Sequence, residues 1–148
     1  MIRQAIRLNR YDWEVMVYYA VTDYAVDEIL MALKDIKCED KYLKVSEESL
    51  RSRTLNTGIT YSNPKLRKSV MVIGLADSPE QYDNSIAHER DHLATHIAQA
   101  DGIDLASEAK CYLTGYIAEK MHRVSHRFVC RDCYGSVRAY VNAFGVRQ

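Results

Sequence analysis

His88-Glu89-Arg90-Asp91-His92 constrains this chain more than any other stretch. On an α-helix of about 3.6 residues per turn, positions four apart lie one above the other, so His88 and His92 can direct two imidazoles at a single metal ion. Glu89 is one step round the same helix, beside that ion. The pattern therefore demands a helix through residues 88–92, and the flanking sequence supplies one. Ser78-Pro79-Glu80 carries a capping residue followed by proline at the first helical position, and Asp83-Asn84-Ser85 offers a second possible start. Ile86, Leu93, Ile97 and Ala100 give the helix an apolar side, and Gly102 is placed to end it.

A catalytic zinc takes three protein ligands and leaves one position open, so two histidines need a partner. A second helix follows after a connection short enough to make the two antiparallel neighbours. It is capped by Asp104 or Ser107 and extended by Leu105, Ala109, Leu113, Tyr116, Ile117 and Met121 to about Val124. Glu108 on its first turn is the candidate third ligand. The alternative for Glu108 is an acidic residue favoured at a helix N-terminus by the helix dipole.

The arrangement His88-Glu89-x-x-His92 followed by Glu108 resembles the gluzincin branch of the zincin metallopeptidases, and within it the small ImmA/IrrE-type group. His96, four residues beyond His92, and Ala109 and Tyr112 after Glu108 add to the likeness, which covers residues 88–112. The resemblance implies zinc-dependent hydrolysis of peptide bonds in a protein or peptide substrate. Zn2+ would be held by His88, His92 and Glu108, with Glu89 as general base. Tyr112, Tyr116, His122 and His126 are the nearby donors for the oxyanion of such a reaction, and each tyrosine has an ordinary packing role as its alternative. Asp91 could orient an imidazole by accepting its free N–H, or it could be a solvated surface carboxylate. His96 could be a ligand, a group that orients a ligand, or a core histidine. By analogy with zincins, Ser69 to Leu75 is the expected edge strand for an extended substrate.

His122, His126, Cys130 and Cys133 form a second set, H-x-x-x-H-x-x-x-C-x-x-C, whose residue types suit a structural zinc. A redox role for the two cysteines is the alternative. Cys38 and Cys111 read as buried small apolar residues.

The rest of the chain reads as scaffold. Trp13 to Val21 is dense in β-branched and aromatic residues and of strand length. Val26, Ile29, Leu30, Leu33 and Ile36 recur at helical spacing after a possible cap at Asp23, giving a helix from about Tyr24 to Lys37. A weaker helical pattern runs from Lys41 to Arg53. Gly58 to Tyr61 and Lys68 to Leu75 are two strands joined by a turn at Asn63-Pro64-Lys65. Beyond Phe128, Tyr134-Gly135 marks a turn, with a short strand or helix around Val137 to Val141.

These readings combine into one α+β zincin-like domain over residues 1–148, its sheet packed against the H-E-x-x-H helix and the Glu108 helix. Lys and Arg number 20 against 20 Asp and Glu, so no basic field points to nucleic acid. No apolar run reaches membrane-spanning length, and the first residues lack a signal-peptide core, which gives a cytoplasmic expectation. Two other functions remain open: a non-catalytic module that uses zinc to hold a binding surface for protein or nucleic acid, and a zinc hydrolase of non-peptide amides. Oligomeric state is not encoded in any pattern found.

Overall fold

Trp13–Val21 forms the centre of a four-stranded sheet because its alternate side chains find apolar cover on both faces. The computed structural model describes residues 2–144, so Met1 and residues 145–148, the two ends of the expected domain, lie outside the described residues. Four strands, β1 (Ile2–Leu8), β2 (Trp13–Val21), β3 (Gly58–Asn63) and β4 (Lys68–Gly74), pair in the order β1-β2-β4-β3. β2 and β4 run parallel, while both outer pairs are antiparallel. Five helices complete the fold: α1 (Val26–Asp35), α2 (Asp40–Arg51), α3 (Pro79–Asp101), α4 (Glu108–Val129) and α5 (Arg131–Phe144). The class is mixed α+β.

The strand period of two divides the side chains between two cores. Trp13, Val15, Val17 and Tyr19 of β2, with Met71 and Ile73 of β4, face a core shared with α3, α4 and α5. Tyr18 of β2, with Val70 and Val72 of β4, faces a second core under α1 and α2. The sheet is therefore the middle of three layers. An irregularity between Tyr18 and Val21, where Ala20 takes a positive φ of 53°, puts neighbouring Tyr19 and Ala20 in the same core.

β3 follows the same alternation with different chemistry. Ile59 and Tyr61 join the second core, whereas Thr60 and Ser62 bond to side chains of α3. The layer between β3 and α3 is consequently polar.

Both ends of α3 follow the capping signals. Ser78 accepts the Gln81 N–H at 3.2 Å, Pro79 is the first residue, and Gly102 closes the helix in the left-handed region at φ 68°. The N-terminal start at Ser78 is thus the one used. Arg67, stacked 4.9 Å over the Trp13 ring, pairs with Asp101 at 2.8 Å and ties the C-terminal end of α3 to the sheet. Ser107 caps α4 by accepting the Lys110 N–H, and Leu105 remains outside that helix, exposed.

Several expectations are corrected. β1 had no counterpart in the sequence reading. Asp23 does not cap α1; it lies in a 3-10 turn and pairs with Arg53. Tyr134 and Gly135 are inside α5 rather than at a turn. β4, the expected edge strand, is interior, and the edge beside α3 is β3. Among the described residues no helix is long and apolar enough to cross a membrane.

Candidate metal and catalytic site

α3 presents its functional side chains in two directions. His88 and His92 are exposed, and their Nε2 atoms stand 3.1 Å apart. Two tetrahedral ligands with Zn–N bonds of about 2.0–2.1 Å are separated by about 3.3–3.4 Å, so the spacing of the two imidazoles fits a shared ion. The same distance suits an N–H···N bond between the two rings.

Glu89 points the other way. It is only 2% exposed, and its two carboxylate oxygens accept hydrogen bonds from Thr57 and Thr60, each at 2.8 Å. A buried carboxyl without donors would be strongly unfavourable, and the two hydroxyls satisfy it while fixing its orientation. Each oxygen of an ionised carboxylate keeps a second lone pair, so the group retains acceptor capacity. Gly58 lies against the Glu89 stem, where a Cβ would approach its Cγ to 3.0 Å.

His96 continues this inward seam, seven residues along from Glu89. Its Nδ1 is 2.8 Å from Ser62 Oγ, which is 2.7 Å from Ser69 Oγ, which in turn accepts the Trp13 indole N–H at 2.8 Å. Burial pushes the imidazole pKa down, and His92 acts in the same direction. The ring lies 6.3 Å from that of His92, centroid to centroid. His96 also lines a cleft of about 520 Å³ with Tyr42, Tyr61, Pro64 and Gln99. A cleft of equal volume on the opposite face of the sheet, beside α1, is lined by the Arg3–Glu28, Arg7–Glu14 and Lys68–Glu14 pairs and by Asp35. Removing the Ser62 hydroxyl should strand His96 Nδ1 and leave Ser69 Oγ with the Trp13 indole N–H. Ser62→Ala is expected to cost about 1–2 kcal/mol in denaturant unfolding and to shift the His96 tautomer population seen by ¹⁵N NMR. An unchanged ring spectrum would show that Ser62 does not hold the imidazole.

The remaining sequence candidates are less closely gathered. Asp91 bonds to Lys110 of α4, whose ammonium holds that carboxyl below the usual carboxylate range. Glu108 is exposed at the first position of α4. Tyr112 is 72% exposed, while Tyr116 is buried against Tyr11, with Arg10 over its ring. His126 Nδ1 bonds the His122 carbonyl within α4 at 2.8 Å. Among the described residues no three His, Cys, Asp or Glu side chains come together as a metal-holding group, so Glu108 does not join the histidine pair, and the His122/His126/Cys130/Cys133 set is not assembled.

Thr57, Thr60, Ser62 and Lys110 were not foreseen as members of the site. The signal for the β3 residues was the small polar set Gly58/Thr60/Ser62 alternating with Ile59/Tyr61. Comparisons of the chain with protein-family models, with curated proteins and with solved structures found no match.

Proposed function

We propose that this chain is a zinc-dependent peptidase acting on a protein or peptide substrate, with a zincin-like arrangement of α3 and α4 over the sheet. The observation that carries the reading is the approach of His88 Nε2 and His92 Nε2 to 3.1 Å on an exposed face of the helix that also bears Glu89. His88 and His92 hold the ion. Glu108 is assigned as the third ligand, which requires its carboxylate to leave its present position at the start of α4.

Zinc, when bound, supplies Lewis-acid polarisation of a carbonyl and lowers the pKa of a water to about 7. As general base Glu89 would take a proton at a carboxylate oxygen and return it to the departing amine nitrogen, which requires that carboxylate to turn from Thr57 and Thr60 toward the side of α3 that carries His88 and His92. Until then Thr57 and Thr60 hold one carboxylate oxygen each, in a buried position. The free edge of β3, next to α3, offers backbone groups to an extended substrate.

One observation favours the second reading, a zinc-held binding surface without catalysis: both Glu89 oxygens already bond to β3, so the residue has a structural task.

Metal analysis and isothermal titration test the proposal. One zinc per chain is expected, with affinity falling more than about 100-fold in His88→Ala or His92→Ala and about tenfold or more in Glu108→Ala. Zinc-loaded wild type should cleave members of a peptide library. Absence of zinc binding after zinc is supplied would remove the reading, and unchanged affinity in Glu108→Ala would remove that ligand.

A further inference from the structure

Cys130 and Cys133 occupy the junction of α4 and α5. Cys130 closes α4 in an extended conformation, φ −84° and ψ 122°, with its N–H donating to the His126 carbonyl at 2.9 Å. Its own carbonyl accepts the Tyr134 N–H at 2.9 Å, the first bond of α5, so Cys130 stands at the N-cap of that helix. Cys133 is three residues on, one turn away. Cα atoms so placed are about 5–6 Å apart, inside the span a disulfide bridges without backbone movement.

The sulfurs meet. Cys130 accepts from the backbone N–H of Cys133, from the Cys133 thiol and from the Asp132 N–H, which together hold the Cys130 thiol below its ordinary pKa. Cys133 is pushed up, chiefly because its proton is shared with Cys130. Both side chains are half-buried, hence reachable by a small reagent. The other thiols differ: Cys38 is buried as expected, whereas Cys111, expected to be buried, is exposed on the first turn of α4.

We propose that Cys130 and Cys133 form a reversible dithiol–disulfide site whose oxidant is a low-molecular-weight disulfide such as oxidised glutathione. The Cys130 thiolate attacks one sulfur of the glutathione disulfide, the S–S bond breaks, and one glutathione thiolate leaves. Cys133 then attacks the Cys130 sulfur of the mixed disulfide and expels the second glutathione. Two protein thiols are oxidised by two electrons, one glutathione disulfide is reduced to two thiols, and the two thiol protons end on the glutathione. This chemistry is independent of the histidine pair on α3.

The test uses the full chain in buffers of graded reduced-to-oxidised glutathione ratio, with alkylation and peptide mass mapping. An intramolecular Cys130–Cys133 cross-link is expected under excess oxidised glutathione, and it should revert when reduced glutathione is restored. Cys133→Ser should accumulate glutathione on Cys130. Cys130→Ser should not, and serine preserves the N-cap, so helicity by circular dichroism is retained. In reduced wild type, iodoacetamide should modify Cys130 at least about fivefold faster than Cys111 at neutral pH. The proposal is overturned if both cysteines stay alkylatable at every ratio. It is equally overturned if wild type forms only glutathione adducts, or if stoichiometric zinc shields both thiols and is lost in Cys130→Ser.

Discussion

Glu89→Gln is expected to lower peptide hydrolysis by roughly 10²–10⁴-fold, the usual range for removing a general base, with zinc stoichiometry unchanged. The substitution keeps the shape of the side chain. One amide end still accepts a threonine hydroxyl, and at the other the second hydroxyl rotates to accept from the amide, because a hydroxyl both donates and accepts. The bonds to Thr57 and Thr60 therefore survive in altered polarity, and the expected stability cost is under about 1 kcal/mol. Glu89→Ala is a different experiment. It leaves two hydroxyls and a cavity behind and should cost about 2–4 kcal/mol, so loss of activity there would not distinguish chemistry from collapse. Initial rates on a cleaved peptide, metal analysis and a denaturant midpoint on Glu89→Gln make the distinction. Retained hydrolysis with a normal midpoint would mean that Glu89 serves only to pin β3 to α3, as the binding-surface reading holds.

What could be read from the sequence was what local physics determines. The ends of α3 were visible because Ser78-Pro79 and Gly102 act on the backbone within a turn of themselves. The convergence of His88 and His92 was visible because i, i+4 spacing is a property of any helix. The hairpin of β3 and β4 was visible because Asn63 Oδ1 accepts the Lys65 and Leu66 N–H groups, a turn built from adjacent residues.

The failures are non-local. β1 interposes Arg3, Gln4, Ala5 and Arg7 among Ile2, Ile6 and Leu8, so it lacks the apolar density of β2. It becomes a strand by pairing with β2 from Ile2↔Tyr19 to Leu8↔Trp13. Gly135 suggested a break, yet α5 runs through it because Tyr134 packs on Tyr82 of α3 and Val137 is buried. Packing there outweighs the helix cost of about 1 kcal/mol for a glycine. Strand order is likewise set by the crossover through α1 and α2, which places β4, the more apolar strand, beside β2 and leaves β3 at the edge. Only after that assignment does the polar side of β3 meet α3, and Glu89 and His96 acquire their partners. The sequence-local half of the site is the histidine pair; the half that holds the carboxylate had to wait for the sheet.

Gly58→Ala is expected to destabilise the protein by about 3 kcal/mol or more. A Cβ at this position would lie 1.8 Å from the Val72 carbonyl oxygen and 2.9 Å from its carbonyl carbon. Neither atom belongs to a flexible side chain. Val72 is in β4, paired on one side with Tyr18 of β2 and on the other with Ile59 of β3, so it is held in the middle of the sheet. β3 must retreat instead. That movement lengthens the Thr57 and Thr60 bonds to Glu89, whose Cγ would itself be 3.0 Å from the new methyl. The exposed His88 and His92 imidazoles, on the other side of α3, should still bind zinc where the protein remains folded, so hydrolysis should fall further than metal affinity does. Gly115→Ala is the matched control. Beyond its chain neighbours and the backbone of its own helix, nothing lies within 4 Å of a Cβ there, and the position is inside α4. The same added methyl should then stabilise the protein by about 0.5–1 kcal/mol through helix propensity and a less flexible unfolded chain. Opposite shifts of the two denaturant midpoints are the expected result. A Gly58→Ala midpoint within error of wild type would mean that the close approach of β3 to β4 is not what requires glycine at this position.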